Sequence, residues 1–310
     1  MTTQHQPQNR TFQLSPSAAL ATGLLQQHFA DLLSNLASDA EAKGYTVSDH
    51  EAQKVPDRLQ LALTYIKPRI EELYSWLFTS RETSNFTYYL SESNLNYLAC
   101  FVGAVTGINQ RKAREYIAEL ENDEGLKSHV RSIATTGTHY IDIDHDFDFG
   151  RRLGWYAIIR ATKPKMVVET GVEQGLGSLV ITSALKRNKE EGALGQYRGI
   201  DINPQAGYLF QGEYRDFGTL LYGDSIETLR GFSETVDLFI NDSDHSSDYE
   251  RREYEIITPK LSSNAIVLGD NAHVTDNLYQ FAERSDKRFL FFQEKAQDHW
   301  YPGAGIGAAF

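Results

Sequence analysis

The chain has 310 residues, 41% of them hydrophobic, one cysteine, and a formal net charge of −12 at pH 7. That length accommodates about two domains and that composition a real core, while the lone cysteine excludes an intrachain disulfide. The acid excess repels phosphate backbones with no basic stripe to offset it, and no apolar run is long enough to span a bilayer, so neither nucleic acid nor a membrane is an expected partner.

Residues 1–10 are polar and lack the basic-then-apolar order of a secretory signal; residues 1–14 read as a disordered tail on a cytoplasmic protein. Residues 15–134 read as helices. Ser15-Pro16-Ser17 can cap one that carries Leu20, Leu24, Leu25, Phe29, Leu32, Leu33 and Leu36 at three-and-four spacing. A second carries Leu59, Leu63, Ile66, Ile70, Leu73, Trp76 and Leu77, with a kink at Pro68. Leu95 to Val105 is apolar nearly all round, which predicts a helix buried between neighbours or in a dimer interface, with Cys100 a small core residue within it. Arg111 to Leu126 is the last clear helix. The predicted domain is an N-terminal cap or dimerisation domain, and the protein a homodimer through it. One cluster in it, Asn85 to Leu90, reads either as the aromatic wall of a substrate pocket or as plain packing.

Residues 135–165 connect the halves and supply the first helix of the core. From Ile141 to Phe149 the chain alternates, which puts Asp142, Asp144, Asp146 and Asp148 on one side of an extended backbone and Ile141, Ile143, His145, Phe147 and Phe149 on the other. Such a row is either a solvated edge or a grip for an amine, a guanidinium or a metal. A helix starts at Arg151 and packs Trp155, Tyr156, Ile158 and Ile159 on a sheet before Lys163-Pro164 stops it.

From Met166 onward strands and helices alternate, as in a mostly parallel sheet covered on both faces. Strands are expected at 166–170, 197–202, 218–222, 236–241 and 264–269, followed by two, at 288–293 and 305–310, whose short connection makes them pair antiparallel at the sheet's end. Ligands of such sheets bind beyond the strands' carboxyl ends. There, Met166-Val167-Val168-Glu169-Thr170-Gly171 runs into Gly175-Leu176-Gly177-Ser178, a strand, glycine turn and helix that bring backbone close to a ligand. The turn lacks the lysine of a phosphate-cradling loop and the glycine order of the dinucleotide fingerprint. Glu169 and Asp201, both at strand ends, favour a cationic ligand with free ribose hydroxyls.

At these residues the chain resembles class I S-adenosylmethionine-dependent methyltransferases. Glu169 to Gly177 looks like their first motif, Gly199-Ile200-Asp201-Ile202 like the second and Gly223-Asp224-Ser225 like the third. The resemblance implies an α/β fold, a Rossmann-like seven-stranded methyltransferase sheet, mostly parallel with an antiparallel last strand, over residues 166–310 behind the all-α N-terminal domain. It implies S-adenosyl-L-methionine as cofactor, with Glu169, Gly171, Gly175, Gly177 and Ser178 about its methionine part, Asp201 on the ribose diol, Asp224 and Ser225 flanking the adenine, and Asp242 also in contact.

Two clusters follow the fourth and fifth parallel strands: Asn241-Asp242-Ser243-Asp244-His245 and Asp270-Asn271-Ala272-His273. Adjacent strands bring them into one cleft, where hard oxygen donors suit Mg²⁺, Ca²⁺ or Mn²⁺. The arrangement resembles metal-dependent small-molecule O-methyltransferases of the catechol and macrocin types. Carried over, the metal ligands are Asp242, Asp270 and Asn271, with Mg²⁺ or Mn²⁺ as the ion, and Asp244 takes the position of the macrocin-type base. Ser243-Asp244-His245 stand where the catechol type has a lysine-containing turn, so the base candidates are Asp244, His245 and His273. The expected function is O-methylation of a small molecule in secondary-metabolite biosynthesis. The alternatives are metal-independent N- or C-methylation of a cationic molecule, and a non-catalytic protein that keeps only the fold.

Overall fold

The computed structural model describes residues 53–134 and 143–310 throughout, with scattered positions between Gly23 and His50. The predicted tail, most of the first predicted helix and Asp142 of the acid row lie outside the described residues. The chain divides into two compact units, 1–79 and 80–310. In the first, α1 (Val55–Thr79) contains Pro68 and buries none of its residues, leaving Leu59, Leu63 and Ile66 exposed.

The second unit holds both the sheet and the remaining helices of the predicted N-terminal domain. β1 (Met166–Thr170) is buried at every residue, as a strand covered on both faces must be. It lies between β2 (Gln196–Asp201) and β4 (Val236–Asn241), with β3 (Gly218–Tyr222) beyond β2 and β5 (Leu261–Asp270) beyond β4. β6 (Phe289–Gln293) and β7 (Gly305–Ala309) complete the order β3-β2-β1-β4-β5-β7-β6, with β7 antiparallel to both its neighbours and the other pairings parallel. The seven-stranded methyltransferase-type sheet is the one expected. Its register sets Thr170 level with Ile200 and Asn241, and Asn241 level with Gly269, so Asp201, Asp242 and Asp270 emerge along one edge.

α2 (Glu92–Thr106), α3 (Gln110–Glu121) and α4 (Glu124–Ala134) share one core with α5 (Arg152–Thr162) and α6 (Leu176–Glu190). Leu98, Val102, Ile117, Leu120 and Val130 pack into the same apolar cluster as Trp155, Ile158 and Ile181. These helices therefore belong to the compact unit that carries the sheet. α2 differs from expectation: Leu95, Leu98, Val102 and Val105 face inward, but Tyr97 is 65% exposed and Cys100 is exposed too, so the cysteine is no core residue. The sequence window is apolar nearly throughout; the helix turns only one side of it to the core.

The acid row is not an extended edge. From Ile143 to Phe149 the chain makes only one bridge, Phe149 to Tyr88, and although Ile143, Phe147 and Phe149 are buried as expected, His145 is exposed and Asp148 is buried. The Asp148 carboxylate turns inward because Lys127 Nζ, itself buried, lies 3.8 Å away. Asp144 accepts from Ser80 Oγ at 2.8 Å and Asp146 from the Tyr89 hydroxyl at 2.7 Å.

Candidate active site

A cavity of about 670 Å³ opens at the carboxyl ends of β1, β2, β4 and β5. Its wall includes ten of the predicted site residues: Glu169, Gly171, Gly177, Asp201, Asp224, Ser225, Asp242, Asp244, Asp270 and Asn271. The topology accounts for this, since all sit at or just past strand ends or in the first turn of a helix that follows one.

The glycine turn is shaped by the protein as much as by any ligand. Gly171 has φ of +84°, and a Cβ there would stand 1.9 Å from the carbonyl oxygen of Asp242, so the ends of β1 and β4 can approach only with glycine. A Cβ on Gly177 would stand 2.2 Å from Glu169 Oε1. Gly175 packs on Gly207, and Ser178 is buried with its Oγ 2.7 Å from the Tyr197 hydroxyl. Tyr197 and Ser178 both donate to Glu169, whose pKa burial pushes up to about 7. Asp201 locks the turn from β2: its Oδ2 accepts from the backbone N–H of Val172 and of Glu173, each at 2.9 Å, and its Oδ1 from Asn203 N–H at 2.8 Å.

On the far side, Asp224 caps α7 (Ser225–Gly231) through Glu227 N–H and accepts from the Tyr249 hydroxyl at 3.2 Å. A buried carboxylate that sequence reasoning missed ties these parts together. Glu253, on α8 (Ser247–Ile257), accepts from Ser225 Oγ, Thr170 Oγ1, Asn241 Nδ2 and Ser243 Oγ, and burial raises its pKa to about 7. A lone glutamate inside a charged helical segment gives no sign of this in sequence.

The third region joins β4 and β5. Asp270, fully buried, has both carboxylate oxygens bound by two nitrogens of the Arg151 guanidinium. Burial would raise the Asp270 pKa, but the charge and hydrogen bonds of Arg151 outweigh it and hold the group below the usual carboxylate range. Asp242 goes the other way, pushed well above that range by burial and by the Asp270 charge beside it. Arg151 also donates to the Tyr88 hydroxyl at 2.7 Å and to Glu294 at 3.3 Å. His245 Nε2 lies 3.9 Å from Asp242 Oδ1 and 3.1 Å from Asn271 Nδ2. Asp244 is exposed and accepts from Ser246 N–H at 2.8 Å.

His273 is not part of this group. Asn271 turns the chain at φ of +51°, and His273 ends exposed with its ring 6.0 Å from that of Phe291. His299 is buried between Tyr88 and Trp300, and Tyr301 lines the cavity. Of the aromatic cluster, Asn85 and Phe86 reach the cavity, whereas none of the described acids of the row from Asp144 to Asp148 does.

Residues 168–272 match a family described as a methyltransferase domain. The chain carries a methyltransferase domain over these residues. The matched segment runs from the first strand through the glycine turn to the residues just past Asp270. No curated protein matches the sequence. Among solved structures, the O-methyltransferase TomG of Streptomyces achromogenes, described as acting in tomaymycin synthesis, is 14% identical, with 72% of this chain and 99% of that one covered and a TM-score of 0.47. The S-adenosylhomocysteine-bound methyltransferase PaMTH1 of Podospora anserina is 15% identical over 71% and 96%, TM-score 0.44. An O-methyltransferase of Bacillus cereus is 13% identical over 67% and 99%, TM-score 0.45. At that identity and overlap, the family match and the sheet itself carry the assignment of the methyltransferase domain.

Proposed function

We propose that this domain transfers the methyl group of S-adenosyl-L-methionine to a hydroxyl of a small molecule. The observation that carries the proposal is the placement, in one cavity, of the glycine turn with Glu169 and Asp201 beside the Asp242, Asp244 and Asp270 group. The wall fits the cofactor: Gly171 and Gly177 of the glycine turn line the cavity, and an acid-rich lining suits a ligand that bears a sulfonium and an ammonium. When bound, S-adenosylmethionine supplies an electrophilic methyl on a positively charged sulfur.

The chain's own residues then have separable tasks. Glu169 and Asp242 face the amino-acid end of the cofactor, Asp201 the ribose, and Asp224 with Ser225 the adenine. Phe86, Asn271 and Tyr301 orient the acceptor and exclude water. The acceptor's proton passes to Asp244, which lines the cavity, or to His245, whose Nε2 lies 3.9 Å from Asp242 Oδ1.

A divalent ion has donors here, because ligand atoms of Asp242, His245 and Asp270 lie within 4.8 Å of one another. The set nevertheless fits an ion poorly: Asp270 is already chelated by a buried guanidinium, and an ion sharing that carboxylate would face the positive charge of Arg151 at close range. The metal-free form of the reaction is therefore the one we favour. The acids of the 144–148 row turn away from the cavity to Ser80, Tyr89 and Lys127, which removes the support for a cationic acceptor.

The net charge of −12 favours a metabolite over a nucleic acid as acceptor, and we place the reaction in small-molecule biosynthesis in the cytoplasm. No described helix is long and apolar enough to cross a membrane. The exposed Leu59, Leu63 and Ile66 of α1 support a homodimer through the N-terminal helices, to be checked by sedimentation. The deciding experiment is calorimetric titration with S-adenosylhomocysteine, before and after chelation, followed by mass spectrometry of hydroxylated acceptors. Absence of cofactor binding would sink the proposal, and binding without turnover on any acceptor would favour a non-catalytic role.

A further inference from the structure

We propose that Arg152 is the receptor for the α-carboxylate of the cofactor's methionine part. This rests on the cofactor reading above and extends it to a residue outside the family's glycine and acid motifs. α5 begins with two adjacent arginines in very different states. Arg151 is fully engaged by Asp270, Glu294 and Tyr88. Arg152 is 8% exposed and lines the cavity, yet no ion pair involving it is present among the described residues. Its one side-chain hydrogen bond among the described residues is a long one, 3.4 Å from Nη1 to the Phe86 carbonyl oxygen, and its buried Nε has no partner.

A buried guanidinium with unmet donors is costly unless an anion completes it. Phe86 and Trp155 hold it in place, with their ring centroids 5.4 and 5.8 Å from its central carbon. A planar fork held by aromatic rings presents paired N–H groups, the geometry a carboxylate accepts best.

The location selects which carboxylate. Trp155 lies against the glycine turn: a Cβ on Gly177 would be 3.1 Å from the Trp155 ring and 2.2 Å from Glu169 Oε1. Arg152, Glu169 and Gly177 all line the cavity, Trp155 joins the arginine to the glycine, and the Arg152 charge is felt at the Glu169 carboxyl, which puts the guanidinium at the end assigned to the amino-acid part of the cofactor. There the ligand is a zwitterion with one ammonium and one carboxylate. The wall offers acids for the first and, with Arg151 already paired, one uncommitted arginine for the second.

The test uses the full-length protein and two ligands, S-adenosylhomocysteine and 5′-methylthioadenosine, which keeps the adenosine and the sulfur but lacks the amino-acid part. In Arg152→Gln, affinity for S-adenosylhomocysteine should fall tenfold or more while that for 5′-methylthioadenosine stays within twofold. Arg152→Lys, which keeps the charge and loses the fork, should fall between. Unchanged S-adenosylhomocysteine affinity in Arg152→Gln would overturn the proposal and transfer the arginine to an acceptor carboxylate. Equal loss for both ligands would overturn it as a purely structural role. Failure of the unmodified protein to bind either ligand would instead overturn the cofactor reading on which the inference stands.

Discussion

Arg151 and Asp270 meet fork to fork: two nitrogens of one guanidinium take both oxygens of one carboxylate, and the carboxylate has no exposure to solvent. The arginine is the N-cap residue of α5, the helix before β1, and the acid comes from the end of β5, so the pair bolts the start of the core to the far side of the cleft. It also places a fixed positive charge against a carboxylate that the resemblance offered as a metal ligand.

Two results are expected from this pair. Chelating agents should leave S-adenosylhomocysteine affinity and the urea unfolding midpoint unchanged, whereas a structural or catalytic ion bound to the folded state would lower the midpoint on removal. Asp270→Asn strands a buried guanidinium with only Glu294 as an ionic partner and should cost about 3–5 kcal/mol of stability, read from denaturant unfolding. A chelator-induced loss of stability would restore the metal.

Asp201 is expected to act on the turn and on the ligand at once. Its Oδ2 accepts from two successive backbone N–H groups, so Asp201→Ala leaves both without their acceptor and should cost roughly 1–3 kcal/mol in unfolding experiments. S-adenosylhomocysteine affinity should fall tenfold or more in the same variant. A stability loss with no change in affinity would leave Asp201 as a turn-locking acid alone.

The parts legible in sequence are those with local rules. Apolar runs gave the strands, and glycines flanked by strand-end acids marked the cavity edge, because both follow from periodicity and turn chemistry within a few residues. Partnerships between distant residues were not legible. Arg151 reads as a helix start until β5 delivers Asp270 to it, and Glu253 reads as one more surface acid on a charged helix until Thr170, Ser225, Asn241 and Ser243 converge on it. Cys100 and His273 failed for a related reason: residue type and neighbourhood do not say which way a helix face or a turn will point. The acid row failed because strict alternation was read as a strand, while Lys127, from another helix, draws Asp148 inside.

Asp148 makes the acid row a measurable pH effect. Burial raises its pKa from the usual carboxylate value to about 7, the nearby Lys127 only partly opposing this. Between about pH 4 and 7 the folded protein then holds a proton that the unfolded chain has released, so stability from this group is present at low pH and is lost as pH rises through 7. The slope is at most about 1.4 kcal/mol per pH unit. Asp148→Asn, which cannot ionise, should flatten that part of the profile in urea titrations at successive pH values. A variant profile parallel to that of the unmodified protein would show that the carboxylate stays ionised beside Lys127.

Glu253 should prove to be a positioning residue for the cofactor pocket, without touching the ligand itself. Its Oε2 takes Thr170, Asn241 and Ser243, from the ends of β1 and β4 and the loop after it, while its Oε1 takes Ser225 at the start of α7. Glu253→Ala takes the acceptor from all four donors at once and should cost about 3 kcal/mol or more, since several buried donors lose their partners together. Glu253→Gln is the sharper variant. Its amide oxygen can replace Oε2 for three donors, and its amide nitrogen can donate to Ser225 Oγ, whose own proton can turn to the Tyr249 oxygen 2.9 Å away. The glutamine variant should therefore unfold within about 1 kcal/mol of the unmodified protein and keep S-adenosylhomocysteine affinity within threefold, while the alanine variant loses both. If alanine lowers stability but leaves affinity intact, the four segments are held in place by the sheet alone and Glu253 is only a buried acid that the fold tolerates.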